Sequence, residues 1–287
     1  QYWDLDFSNR VKGSRAELEE ELLRLMRQAV TSRMVADVPL GAFLSGGVDS
    51  TFLAAAAKQA LYDDRAIAVT ACSETLPASE RKEAVEIAGK LGIKHVLLTI
   101  SELNNADFVE NDKKRCYHCK MERFTVIAAW AKEQGFHWVL EGSNADDLAD
   151  YRPGMQAVAE LPDVRSPLLE CGITKDEIRS LSKEWGLPTW KKFSAACLSS
   201  RIAYGLPVTA ERLKQVELAE AFIKTLCSGQ VRVRHHGDIA RIEVAAKDIS
   251  LLVQPENSVR ISQELKKLGF SFVTVDLEGY RTGSMNE

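Results

Sequence analysis

The chain has 287 residues, 45% apolar and 27% charged, enough material for one large or two modest cores. Its 37 basic and 41 acidic side chains leave a formal net charge of -4, so no chain-wide positive field exists to gather nucleic acid, and a nucleic-acid partner is not expected. No apolar run reaches the roughly 18 residues of a membrane span and no basic-then-apolar start marks a secretory signal, so the expectation is a cytoplasmic protein without a membrane partner.

Ser14-Arg15-Ala16-Glu17 reads as a capping box, and the apolar residues after it at helical spacing predict a helix over about 16–35. Val38–Leu44 predicts a short buried strand, followed by a Ser-Gly-Gly turn and an alanine-rich helix over Ser50–Leu61. Further on, strands are predicted at Ala66–Ala71, His95–Ile100 and His137–Leu140, with helices near Ser79–Leu91 and Lys120–Gln134 between them. This alternation predicts an α/β fold, a parallel sheet covered on both faces. Beyond Tyr204-Gly205-Leu206-Pro207 come a capped helix over Thr209–Leu226, strands at Gln230–Arg234 and Ile239–Val244, a helix near Pro255–Leu268 and a strand at Ser271–Asp276. The expected division is a helical lead-in over 1–36, a nucleotide-binding domain over 37–203 and a smaller α+β domain over 204–287.

Ser45-Gly46-Gly47-Val48-Asp49-Ser50 falls where a strand's carboxyl end meets a helix amino terminus. Such a junction aims unpaired amides and the helix dipole at an anion, and paired glycines let the backbone approach phosphate oxygens. Asp49 would repel bare phosphate and suits magnesium bridging a pyrophosphate. A plain glycine turn is the bland alternative, but the complete Ser-Gly-Gly-x-Asp-Ser string between strand and helix is more specific than Gly-Gly alone. The string matches the loop of enzymes that cleave ATP between its α and β phosphates.

Six cysteines occupy positions 72, 116, 119, 171, 197 and 227, a sparse set that suits ligation or catalysis better than a disulfide framework. Cys116 and Cys119 stand three apart at a helix amino terminus beside Arg115 and Lys120, which predicts lowered thiol pKa values. They suit metal ligation, a redox pair or sulfur carriage; one Cys-x-x-Cys by itself also fits an incidental role. Cys197 sits in a small-residue loop just ahead of the expected domain junction, a place where clefts form. Three thiolates without a fourth suggest a cluster with one unprotected iron; the simpler alternative is that Cys197 surrenders its own sulfur. Cys72, Cys171 and Cys227 lie in or beside apolar stretches and are expected as buried free thiols.

From the loop to the carboxyl end the chain resembles the LarE family of ATP-dependent sulfur transferases, within the PP-loop ATP pyrophosphatase superfamily. The resemblance is carried by Asp150-Tyr151-Arg152-Pro153-Gly154, Cys197 through Gly205, Val231-Arg232-Val233-Arg234, Asp238 through Glu243 and Gly279-Tyr280-Arg281. It implies ATP and magnesium as cofactors and a nucleotide substrate, pyridinium-3,5-biscarboxylic acid mononucleotide, whose carboxylates become thiocarboxylates. It also implies Cys197 as the sulfur-bearing residue, Lys120 and Glu220 beside it in catalysis, and Ser200, Arg232 and Arg234 at the substrate phosphate. The set Cys116, Cys119 and Cys197 resembles that of members with a four-iron–four-sulfur cluster. Strand alternation independently places Arg232 and Arg234 on one face, a pair that suits a phosphate or simply surface solvation.

The stretch from Tyr2 to Leu44 resembles instead the approach to the same loop in asparagine synthetases. Amide synthesis is therefore one alternative, set against the absence of an amino-terminal glutaminase domain from this sequence; a tRNA thiolase, which would show a basic RNA-binding face, is another. The remaining expectation is a homo-oligomer, with a contact through a helix such as Thr209–Leu226.

Overall fold

A computed structural model describes residue 14 and residues 40–61, 65–149, 153–193, 196–281 and 284–285. The expected helix over 16–35 lies outside the described residues. Five strands, β1 (Leu40–Phe43), β2 (Ala66–Cys72), β3 (Lys94–Thr99), β4 (Trp138–Leu140) and β5 (Val164–Arg165), form an all-parallel sheet in the order β3-β2-β1-β4-β5. The chain moves outward from β1 to β3, then crosses to the other side for β4 and β5, so the order reverses between β1 and β4. Ligands in such sheets bind beyond the strands' carboxyl ends at that reversal.

Both faces are covered, as strands without polar alternation require. Leu40 and Ala42 of β1 and Ala66 and Ala68 of β2 pack against α1 (Val48–Leu61) and α2 (Ala78–Leu91). Ile67, Val69 and Ala71 of β2 point the other way, onto Phe124 and Ile127 of a long helix over Arg115–Glu133. That helix is α4; a short α3 (Ala106–Glu110) precedes it, and α5 (Pro153–Ala159), α6 (Pro167–Glu170) and α7 (Lys175–Glu184) follow. None of the described helices is long and apolar enough to cross a membrane.

The second unit begins with α8 (Ala210–Ile223), whose Thr209 hydroxyl accepts from the Arg212 amide as the sequence predicts. Its sheet has the order β6 (Arg232–His236), β7 (Ile239–Glu243), β8 (Phe272–Val275), with β6–β7 antiparallel and β7–β8 parallel. Helices α9 (Ala246–Leu252) and α10 (Pro255–Lys267) make the crossover from β7 to β8. Residues 198–208 are no loose linker. Leu198, Ile202 and Val208 are buried with Phe108 and Cys119 of the first unit and Leu213 and Val216 of α8, and Ile202 bridges to His235 of β6.

Asn111 fastens this junction. It is fully buried at φ 62°, a left-handed conformation that asparagine tolerates, and its amide donates to the carbonyls of Ala203 at 2.8 Å and Leu206 at 2.7 Å while its oxygen accepts from Arg115. Asn111→Ala strands these groups and should lower unfolding stability by about 2–4 kcal/mol in urea titrations, at roughly 1 kcal/mol or more per bond lost.

Candidate active site

The glycine loop lies at the sheet's reversal point. β1 ends at Phe43, α1 begins at Val48, and the turn between them needs Gly46 at φ 77°, which side-chain-bearing residues rarely adopt. Ser45 and Ser50 close the loop, with their hydroxyl oxygens 3.0 Å apart. Opposite, Gly142 follows β4 so closely that a Cβ there would stand 3.1 Å from the Ser50 nitrogen. A cavity of about 510 Å³ opens here, lined by Ser45, Gly47, Asp49, Ser50, Lys120 and Cys197 among the residues expected from sequence.

Asp49 accepts from the Lys175 ammonium and, at 3.3 Å, from the Asn144 amide. Lys175 was not expected from sequence. It is the first residue of α7, and a capping box between Thr174 and Glu177 marks that helix in the sequence. Asp146 and Asp147 also line the cavity, so oxygen donors of the kind magnesium takes are present. No three His, Cys, Asp or Glu side chains among the described residues gather around one point.

Lys120 Nζ lies 3.1 Å from the buried Glu141 carboxylate, which also accepts from the Ser166 hydroxyl and the Ser143 amide. Burial alone would raise the Glu141 carboxyl, but Lys120 and these bonds outweigh it and hold it below the ordinary range.

The cysteines need one correction. Lowered thiol pKa values are expected for Cys116 and Cys119 from their place at the start of α4, yet both are raised. Burial dominates in each case, against the lowering pull of Arg115 on Cys116 and of Arg123 on Cys119. Cys116 is open to solvent on one side and crowded by protein on the other; Cys119 is buried, and its thiol donates to Glu102 at 3.6 Å. Cys197 adds to the raised value of both, and Cys116 to that of Cys119. The Cys119 thiol is turned to Glu102, and no group of three metal-ligating side chains is found among the described residues. Cys197 is half-buried, with Sγ 3.0 Å from the Ser199 hydroxyl. Among the other cysteines only Cys227 is fully buried; Cys72 and Cys171 are half-buried, and all six are free thiols.

Arg201, also not anticipated from sequence, holds the Cys197 loop. Its buried guanidinium donates to the carbonyls of Ala196 and Cys197, the latter at 2.8 Å, and to the Ser200 hydroxyl at 3.0 Å, while Nε meets Glu220 at 2.9 Å. Glu220 also accepts from the Val233 amide at 3.2 Å, which ties loop, α8 and β6 together. Glu220 is thus placed beneath the loop and is not among the side chains lining the cavity. Ser200, Arg232 and Arg234 stand beside it, outside the cavity lining. The paired arginines are buried rather than solvated: Arg234 meets Glu243 at 2.7 Å, and Arg232 lies over the Tyr280 ring. Burial and the neighbouring Arg201 charge lower the Arg232 pKa.

A parallel sheet with a phosphate-cradling Ser-Gly-Gly-x-Asp-Ser loop at its reversal point, and no P-loop lysine in that loop, defines an ATP-using enzyme of the PP-loop class. Residues 21–197 match the asparagine synthase family, which takes in the latter part of the asparagine-synthetase-like lead-in. An uncharacterised protein of Synechocystis sp. is 42% identical over 84% of this chain and 90% of its own length. The pyridinium-3,5-bisthiocarboxylic acid mononucleotide synthase of Lactiplantibacillus plantarum is 35% identical over 85% of this chain and 87% of its own. An asparagine synthetase of Lotus japonicus shares 28% over 42% of the chain and 23% of its own length. The chain belongs to the LarE family of ATP-dependent sulfur transferases.

Two stability predictions follow from the buried pairs. Arg201→Met leaves buried Glu220 with only the half-exposed Lys224 ammonium at 4.0 Å and should cost about 3 kcal/mol in thermal or urea unfolding. A depressed carboxylate stabilises the fold above its unfolded pKa, about 4.3, and that contribution fades as pH falls through the folded value. Glu141→Gln should therefore lower the urea midpoint at neutral pH, and the two proteins should converge on acidification.

Proposed function

We propose that this enzyme adenylates a carboxylate of pyridinium-3,5-biscarboxylic acid mononucleotide and replaces an oxygen with sulfur, a step toward a nickel-pincer cofactor. One observation carries the reading: Cys197 and the PP-loop line the same cavity, together with Lys120 and Glu141. The thiol of a sulfur donor and the phosphates of ATP must meet one carboxyl group, and a shared cavity meets that need.

ATP binds with its phosphates against Ser45–Ser50; Asp49, with Asp146 and Asp147 on the same cavity wall, would hold a magnesium ion, which would neutralise charge on the pyrophosphate. The substrate carboxylate attacks the α phosphorus and pyrophosphate leaves, with Lys120 stabilising the negative charge. Cys197 thiolate then attacks the acyl carbon and displaces AMP to form a thioester. Loss of the Cys197 α proton breaks the Cβ–S bond, which leaves sulfur on the product as a thiocarboxylate and dehydroalanine at position 197. Ser200, Arg232 and Arg234 receive the substrate phosphate, a role suited to two guanidiniums that alternate onto one face of β6. Glu220 acts through Arg201, as a positioning residue.

A second reading places a four-iron–four-sulfur cluster on Cys116, Cys119 and Cys197. The mutual electrostatic influence of the three thiols supports it, and the Glu102-bound Cys119 thiol stands against it. A homo-oligomer is also part of the proposal, supported by exposed Ile239, Phe272 and Leu277 on or beside the second sheet.

Mass spectrometry after one turnover tests the donor. The Cys197 peptide should lose one hydrogen sulfide in step with AMP formed, and Cys197→Ala should make no thiocarboxylate. An intact Cys197 with iron and acid-labile sulfide bound would move the reading to the cluster, while undiminished AMP release by Cys197→Ala with an amide as product would favour amide synthesis.

A further inference from the structure

The cavity holds one more cation, Arg123 of α4, to which neither the sequence nor the proposed reaction assigns a role. It follows Cys119 by four residues and Lys120 by three, so all three share one face of the helix. Its side chain lines the cavity at the end where Cys197 sits. Nη2 meets Glu102 and, at 3.3 Å, the Thr75 hydroxyl, and Thr75 in turn accepts the Leu198 amide on its carbonyl at 2.9 Å. Arg123 is thus braced against both the fully buried Glu102 and the loop that carries Cys197. Only Nη2 is used in these bonds, and Nε is buried without an acceptor.

We propose that Arg123 binds the second carboxylate of the substrate, the one not being activated, and so makes the enzyme selective for a dicarboxylate. The inference rests on the reaction proposed above. A guanidinium pairs well with a carboxylate, and one whose Nη2 is already fixed by Glu102 and Thr75 is oriented in advance. Such a rigid grip suits a group that keeps its charge throughout. It would hinder the reacting carboxylate, which must give up its electrons to phosphorus; the more exposed Lys120, 30% accessible, suits that group better. With the spectator carboxylate on Arg123, the other, two ring positions away, faces the space between Lys120 and Cys197.

The test compares AMP release with the dicarboxylate nucleotide against nicotinic acid mononucleotide, which has a single carboxylate. Replacing Arg123 alone would leave Glu102 buried without its cation, so the informative variant is the neutral pair Arg123→Gln with Glu102→Gln, checked for folding by its thermal transition. The wild type should prefer the dicarboxylate in kcat/KM by about 10- to 100-fold, the worth of a charge-assisted bond. The double variant should lose that preference through a raised KM for the dicarboxylate alone, and Arg123→Lys, which keeps the charge but not the guanidinium, should fall between. A folded double variant that keeps the wild-type preference, or one impaired equally on both nucleotides, overturns the role of Arg123 and leaves the reaction standing. A wild type that releases no AMP with the dicarboxylate overturns the reaction, and this inference with it.

Discussion

The buried pair between Arg201 and Glu220 is the constraint on which the site depends. A cysteine that must meet an activated carboxyl group cannot ride on a free loop, and the carbonyls of residues 196 and 197 are fixed by one guanidinium. Burying that guanidinium without a counter-charge would be prohibitive, and Glu220 supplies the charge from α8 while also binding β6. Loop position, helix position and second-sheet position are therefore one variable. Under the proposed reaction Glu220 acts at a distance, by setting where the thiol stands.

Within the cavity the cations arrive already matched. Lys175 rests on Asp49, Lys120 on Glu141 and Arg123 on Glu102. Each cation thus faces a carboxylate before any ligand binds, whereas unpaired cations in so small a space would repel one another. Under the proposed reaction, ATP would enter by an exchange of partners, with Asp49 released from Lys175.

Much of this was legible in the sequence, for identifiable reasons. The β1-loop-α1 unit is written in local pattern: an apolar strand, two glycines and an alanine-rich helix, and the structure follows it to within two residues at the helix start. The meeting of Cys197 with that loop was read from resemblance and from its place ahead of a junction. What failed was whatever depends on burial. Proximity to Arg115 and a helix terminus predicts acidic thiols at 116 and 119, but desolvation outweighs both and does not show in a string of letters. Arg201 and Glu220 lie nineteen residues apart, and nothing local pairs them. β5 has only two residues, too few for any periodicity, whereas the Thr174–Glu177 box was readable and would have pointed to Lys175.

The apolar cluster that joins the two units has an evolutionary corollary. The likeness to asparagine synthases runs out at residue 197, and the hydrophobic contacts that clasp α8 to the first unit start at Leu198. The matched stretch thus ends at Cys197, and the residues that fasten its loop lie beyond that end. Under the proposed reaction, a change confined to the part beyond it would alter the anchorage of the sulfur and the arginines beside it while the phosphate loop stayed as it is.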